Sequence, residues 1–274
     1  MGLFSKEPTE STFWTHIETF RWVIIRSFAV TFSIAIVAFL FKDFVFGQII
    51  LAPANNDFIT YSVLCKMGDY LSIKDLCPDI QTLKIININL ASQLFVHLSM
   101  SFYIGLIVAV PYLMAELWIF AAPALYKNER MPAIKSIFAF VVLFFTGVLL
   151  AFYVIFPLTV NFLGTYQIDK SVENQISLNS YIDTFLTLIL MMGLVFELPV
   201  VAYFFARIGI LKNSFLKRYR KFAFVVILVA AALITPSTDI FTMMLVAIPL
   251  YLLYEFSRLV VKRVERQKVM LEIS

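Results

Sequence analysis

The chain has 274 residues, of which 61% are apolar and only 15% charged, and its mean hydropathy is +0.88. A soluble domain carries nearer a quarter charged residues, so this composition excludes an ordinary water-soluble fold and makes lipid the natural solvent. The net charge of +4 calls for no nucleic-acid partner, and the 29 phenylalanines suit lipid-facing surface better than a catalytic interior.

Residues 1–21 are polar and mixed in charge. No small-residue cleavage site follows the first apolar run, so that run reads as a retained anchor. Phe13, Ile17 and Phe20 recur at i, i+4 and i+7, which predicts an amphipathic helix on the inner membrane surface. Thr15 and Glu18 fit a capping box, so Glu18 is read as a cap on a helix starting at Thr15.

Four clear apolar runs follow, at 22–41, 94–123, 134–158 and 181–206. A long outer loop, 43–93, separates the first two and holds both cysteines, Cys65 and Cys77, with eleven residues between them. An oxidising exterior permits a disulfide there, the alternative being two unpaired thiols. Pro111 in the second run implies a kink, and Pro123 ends or bends that helix before Glu129 and Arg130. Glu197 lies near the middle of the fourth run, where a charge costs about 2.5–3.5 kcal/mol on insertion scales. Pro199 follows it and frees a backbone carbonyl. Glu197 is either a protonated group hydrogen-bonded inside the bundle or a polar docking point for a helix or cargo.

The fifth run, 222–234, has 13 residues and reaches about 20 Å, short of a roughly 30 Å hydrocarbon core. The sixth, 240–256, has 17 residues and contains Pro249. "TPSTD" at 235–239 reads as the tip between them. The two runs form a hairpin of short spans or, alternatively, a re-entrant pair. Short and kinked helices together suggest a concave wall rather than a straight bundle.

Placing both ends on one side collects 17 of the 22 Lys and Arg residues there with 6 acids, against 5 basic and 9 acidic residues opposite. The positive-inside rule makes the first side cytoplasmic. The resulting expectation is a single all-α membrane domain of six transmembrane helices with both termini cytoplasmic. HExxH, GxSxG and GxxxxGK[ST] are absent, and His16 and His97 fall on opposite membrane faces. A membrane protease or metal-dependent hydrolase is therefore disfavoured, and no cofactor is expected.

"FAAPALYKNER", "FELPV", "ITPSTDIF" and "AIPLYLLYE", with "THIETFRWVIIRS" before them, occur in the order and spacing of the TatC family, the polytopic core of the twin-arginine protein translocase. The similarity covers about residues 12–258. It implies a concave, glove-like bundle in the inner (cytoplasmic) membrane whose two final helices are short. It also implies a receptor for folded cargo whose signal peptides carry two adjacent arginines. Small single-span subunits would join it in a multimeric complex, and the proton-motive force would drive transport. By this likeness Glu129 contacts the arginine pair, with Glu18, Arg21, Phe120, Leu125, Tyr126 and Arg130 shaping the same surface. Glu197 corresponds to the family's intramembrane glutamate, and Thr235 and Asp239 lie near the docking place of a partner helix. Two departures stand out. Thr19 occupies the position of the family's N-terminal glutamate, with Glu18 one residue earlier, and Met243 stands where the family often has glutamine. Either the N-terminal segment is rotated or frayed, or Glu18 serves as a cap and Glu129 carries most of the arginine recognition; the capping-box spacing from Thr15 favours the second. The competing function is a proton-coupled secondary transporter of a small solute that uses Glu197 as a relay, with a membrane enzyme third.

Overall fold

The computed structural model describes residues 13–55, 57–71, 84–122, 127–169, 174–235, 237 and 239–273; at 13, 15, 71, 127–130, 132 and 269–273 only the backbone is described. Helix α1 (Phe13–Leu40) leads to a short α2 (Lys42–Phe44), a π turn at Val45–Ile50 and a 3-10 turn at Ala52–Ala54. Then come α3 (Ile59–Leu71), strand β1 (Ile85–Ile86), α4 (Ser92–Ala121) and α5 (Lys127–Leu150). A π segment, Ala151–Ile155, joins α5 to α6 (Phe156–Thr165). Strand β2 (Ile176–Ser177), α7 (Leu178–Val195), α8 (Leu198–Ile208), α9 (Asn213–Arg218), α10 (Arg220–Ile234) and α11 (Ile240–Ile273) complete the order.

Five helical stretches among the described residues are long and apolar enough to cross a membrane: His16–Leu40, Ser92–Ala121, Ala133–Thr165, Leu178–Ile208 and Ile240–Lys268. This is a multi-pass membrane protein. The 15 residues of α10 reach only about 22 Å, so the fifth apolar run is a helix but not a full-length span. The fourth run, read as one span, is two helices with a turn at Phe196–Glu197. Pro111 and Pro249 instead sit inside helices that continue through them.

The chain forms two compact units, residues 1–41 with 98–141 and residues 42–97 with 142–274. In the first unit, Ser101, Gly105 and Ala109 recur every fourth residue along α4 and are all buried. A Cβ added at Gly105 would lie 2.7 Å from the Thr31 carbonyl and 2.9 Å from the Ala35 nitrogen. Small residues therefore let the α1 and α4 backbones touch, which is how helices pack without a hydrophobic drive between them. Phe28, Phe32 and Ile36, at i, i+4 and i+8, stay at least half exposed, an apolar stripe of the kind lipid covers.

In the second unit, Pro157 organises the fold around α3. Proline has no N–H to give the carbonyl four residues back, that of Tyr153. Thr60 donates its hydroxyl to this carbonyl. The next residue, Tyr61, is fully buried and places its hydroxyl 2.9 Å from the Pro53 carbonyl and 3.1 Å from that of Pro157. Burial pushes the Tyr61 hydroxyl up to about 12, so it remains a donor throughout the physiological range. Phe58 stacks on the Tyr153 ring at 5.8 Å. Tyr181 of α7 donates to the Ile50 carbonyl at 2.8 Å, and β1 pairs with β2 in parallel, Ile85 opposite Ile176. The described parts of the 43–93 segment are thus folded.

Cys65 lies on α3 and is not a free thiol, whereas Cys77 lies outside the described residues. Closing the two would form a loop of about a dozen residues worth up to roughly 3 kcal/mol in a chain-entropy model. Non-reducing mass spectrometry of the purified protein is expected to find the peptides bearing Cys65 and Cys77 joined. Alkylation of both thiols without reductant would rule the staple out.

The helix α11 runs well past its apolar segment. Val261 and Val264 are buried with Ala202 and Ala206 of α8, flanked by Tyr203, Leu211 and Leu216. Polar groups of the same stretch close two neighbouring helix ends. Lys268 donates to the Arg207 carbonyl at 2.6 Å, and Glu265 accepts from the Asn213 N–H at 2.9 Å. A cation at a helix C-terminus and an anion at an N-terminus both complement the helix dipole. Gly209, with φ of 92°, supplies the left-handed residue that ends α8. Farther up α11, Glu255 accepts from Arg220 at 2.7 Å and faces Arg258 at 3.2 Å, clasping α10 to α11.

Candidate functional site

The residues expected to bind a signal peptide all belong to the first unit. Glu18, Thr19, Trp22 and Arg26 line a pocket of about 500 Å³ along α1. Residues 18, 22 and 26 are spaced by four and so share one face of the helix. Thr19 borders the same space, so a carboxylate at either 18 or 19 would reach it. Another face of α1 carries aromatic rings. His16 stacks on Phe120 at 4.3 Å between centroids, and Phe20 tilts against the same ring at 5.4 Å. Arg21 is exposed. Glu129 and Arg130 lie in the first described turn of α5, and their side chains are outside the described residues, as are Leu125 and Tyr126 entirely.

The capping reading of Glu18 is corrected. Helix α1 already includes Phe13, so Thr15 lies inside the helix rather than at its N-cap. A capping box needs a non-helical residue three positions before the acid. Glu18 has no such role and is available to the pocket.

Two functional candidates escaped the sequence reading. Arg26 Nη2 lies 3.2 Å from Glu116 Oε2, and Tyr112 donates to Glu116 Oε1 at 2.6 Å. The Glu116 side chain is only 5% exposed, against 47% for Arg26. Both residues sit in apolar helices where unpaired charge is costly, which is the signal that could have paired them. Spacing reinforces it, since Tyr112 and Glu116 are one helical turn apart.

Glu197, Thr235 and Asp239 belong to the second unit. Glu197 is 5% exposed and occupies the turn between α7 and α8. Neither of its carboxyl oxygens meets a hydrogen-bond partner of ordinary geometry, although the backbone of Phe144 approaches it. The helices around it are tightly apposed. A Cβ at Gly147 would fall 2.6 Å from the Met192 carbonyl, and one at Gly193 would fall 2.9 Å from the Phe144 ring. Buried polar groups in proteins are nearly always paired, so a carboxyl in this condition costs stability rather than adding to it.

Thr235 and Asp239 are used internally. Thr235 donates to the Ala231 carbonyl at 3.1 Å, closing the last turn of α10. Asp239 Oδ1 accepts from the Thr242 N–H at 2.8 Å, which caps α11, and Oδ2 accepts from the Ser237 and Thr242 hydroxyls. Burial pushes the Asp239 carboxyl up, but these bonds outweigh it and hold the group below the ordinary carboxylate range. Asp239 therefore stays ionised and fixes the tip between α10 and α11.

Comparison with known proteins gives this arrangement a family. The family model described as "Sec-independent protein translocase protein (TatC)" matches residues 15–249. The Sec-independent protein translocase protein TatC of Blattabacterium sp. subsp. Periplaneta americana (strain BPLAN) is 35% identical over 253 residues, covering 92% of this chain and 95% of the relative. The TatC protein of Carboxydothermus hydrogenoformans is 30% identical over 256 residues, 93% of this chain and 95% of its own. A crystal structure titled as the twin arginine translocase receptor TatC superposes with a TM-score of 0.66 at 27% identity, covering 91% of this chain and 99% of that one. A second, titled as the same receptor in DDM, gives 0.68 at 28% identity, covering 89% and 98%. With a family match that spans most of the sequence and a fold shared almost end to end, the chain belongs to the TatC family of Sec-independent protein translocase proteins.

Proposed function

We propose that this protein is the receptor of a twin-arginine translocase. It binds the paired arginines of signal peptides on folded cargo at its cytoplasmic face and assembles with small single-span subunits into a multimer that uses the proton-motive force. It lies in the inner (cytoplasmic) membrane as one domain of six spans in a concave, glove-like arrangement, with α10 and the apolar part of α11 as the two short final spans and both termini inside. The observation that carries the reading is the pocket on α1. It offers the Glu18 carboxylate beside the indole of Trp22 in the segment that resembles the family's signal site. A guanidinium gains most from a carboxylate in a partly desolvated place, and the oily stretch after the arginines can lie on neighbouring apolar surface. Glu129, in the "APALYKNER" block at the start of α5, supplies the second carboxylate.

Titrating a labelled twin-arginine peptide against detergent-solubilised variants tests the site. Because Glu18 is not consumed by a cap, Glu18→Ala and Glu129→Ala are each expected to weaken binding by about 1.5–3 kcal/mol, the scale of a hydrogen bond to a charged group. Thr19→Glu is expected to tighten it several-fold, since residue 19 borders the same pocket. Normal affinity in both alanine variants would remove the site from this surface.

A further inference from the structure

The pocket wall carries a positive charge that the proposed ligand should find repellent. Arg26 lines it together with Glu18, Thr19 and Trp22, and almost half of the arginine side chain is exposed. An incoming arginine would meet a second guanidinium there. Behind Arg26 stands Glu116, buried in α4, with one carboxyl oxygen 3.2 Å from Arg26 Nη2 and the other held by the Tyr112 hydroxyl. Tyr112 sits one turn before Glu116 on the same helix, so it fixes the carboxylate's orientation from within α4. The carboxylate thereby presents a fixed negative charge to the back of the guanidinium. Interactions among partly buried groups are screened far less than those in water, so this counter-charge governs the potential in the pocket.

We propose that Glu116 is a positioning residue that sets the charge preference of the pocket. By neutralising Arg26 from behind, it makes the surface around Glu18 and Thr19 accept a basic segment. Without it, the same wall becomes a bare guanidinium suited to an acidic one. This rests on reading the pocket as the place where the arginine-bearing peptide binds.

The test uses two labelled peptides of equal length, one with paired arginines and one with paired glutamates in their place. They are titrated against the full chain in detergent as wild type, Glu116→Gln, Arg26→Gln and the Arg26→Gln/Glu116→Gln double variant, with each melting temperature recorded. Glu116→Gln should weaken the arginine peptide at least about fivefold at low salt, tighten the glutamate peptide, and lose both effects as salt rises. The double variant should recover most of the lost affinity, because removing both charges restores neutrality. Unchanged affinities for both peptides in Glu116→Gln would overturn the inference. So would a double variant as weak as the single one, since that pattern belongs to a structural role. If the wild type itself fails to bind the arginine peptide, the reading of the pocket falls and takes this inference with it.

Discussion

Replacing Glu197 by methionine is expected to make the protein more heat-stable while abolishing transport. Both carboxyl oxygens of Glu197 are buried and lack partners of ordinary geometry. An unmet buried polar group costs about 1–3 kcal/mol, and an apolar side chain of similar shape removes that cost. For a chain of this size each 1 kcal/mol shifts the melting temperature by about 2–4 °C, so a rise of several degrees in detergent should be visible by fluorescence-monitored melting. Transport into inverted membrane vesicles should fall at least about tenfold, the loss expected when a positioned acid is removed from a working step. Affinity for a twin-arginine peptide should stay within a few-fold, because Glu197 belongs to one unit of the fold and Glu18 and Glu129 to the other. A destabilised variant with normal transport would show that Glu197 is structural after all.

Among Gly47, Gly147 and Gly193, Gly147→Ala is expected to be the most damaging single methyl added to the second unit. Its Cβ would lie 2.6 Å from the Met192 carbonyl and 2.8 Å from Cγ of Phe196. A backbone carbonyl cannot swing aside, so α5 and α7 must separate, and overpacking of this kind costs about 1–3 kcal/mol or more. Gly193→Ala meets the end of the Phe144 ring at 2.9 Å. That ring can turn, so its loss should be smaller. Gly47 is the internal control: nothing lies within 4 Å of its added Cβ, and its backbone is helical. Gly47→Ala should gain about 0.4–1 kcal/mol by narrowing the unfolded chain. Melting the three variants in one detergent gives the order Gly47, Gly193, Gly147 from most to least stable. Any other order would mean that these close approaches are not what holds α5 to α7.

The spans were legible in the sequence because lipid selects long apolar runs, and a run such as 22–41 or 134–158 has few other uses. Breaks inside them were less so. Pro111 and Pro199 read alike, yet the helix continues through one and stops at Phe196–Glu197 before the other. Neighbouring packing, which sequence does not display, decides which of two prolines ends a helix. The fold of the described parts of the 43–93 segment was hidden for a related reason. Thr60 and Tyr61 find their partners at Tyr153 and Pro157, more than ninety residues away. A freed carbonyl is predictable from proline, but the hydroxyl that answers it is not. At the candidate site, the capping-box spacing of Thr15 and Glu18 misled because it is a local pattern that occurs inside helices as well as at their starts. The Arg26–Glu116 pair was within reach, since two opposite charges in apolar helices have little choice but to meet.

The division of the chain also sets an order of events during synthesis. The residues of the first unit all lie within the first 141, so its α1–α4 crossing can close before the rest of the chain has been made. The second unit cannot. Thr60 must wait for Tyr153 to be made, and Ala202 and Ala206 lack their buried partners until Val261 and Val264 emerge. A nascent chain halted just short of Val261 would hold a finished first unit beside a second whose α8 still lacks its lid, and quality-control proteases should cut it there rather than in α1 or α4.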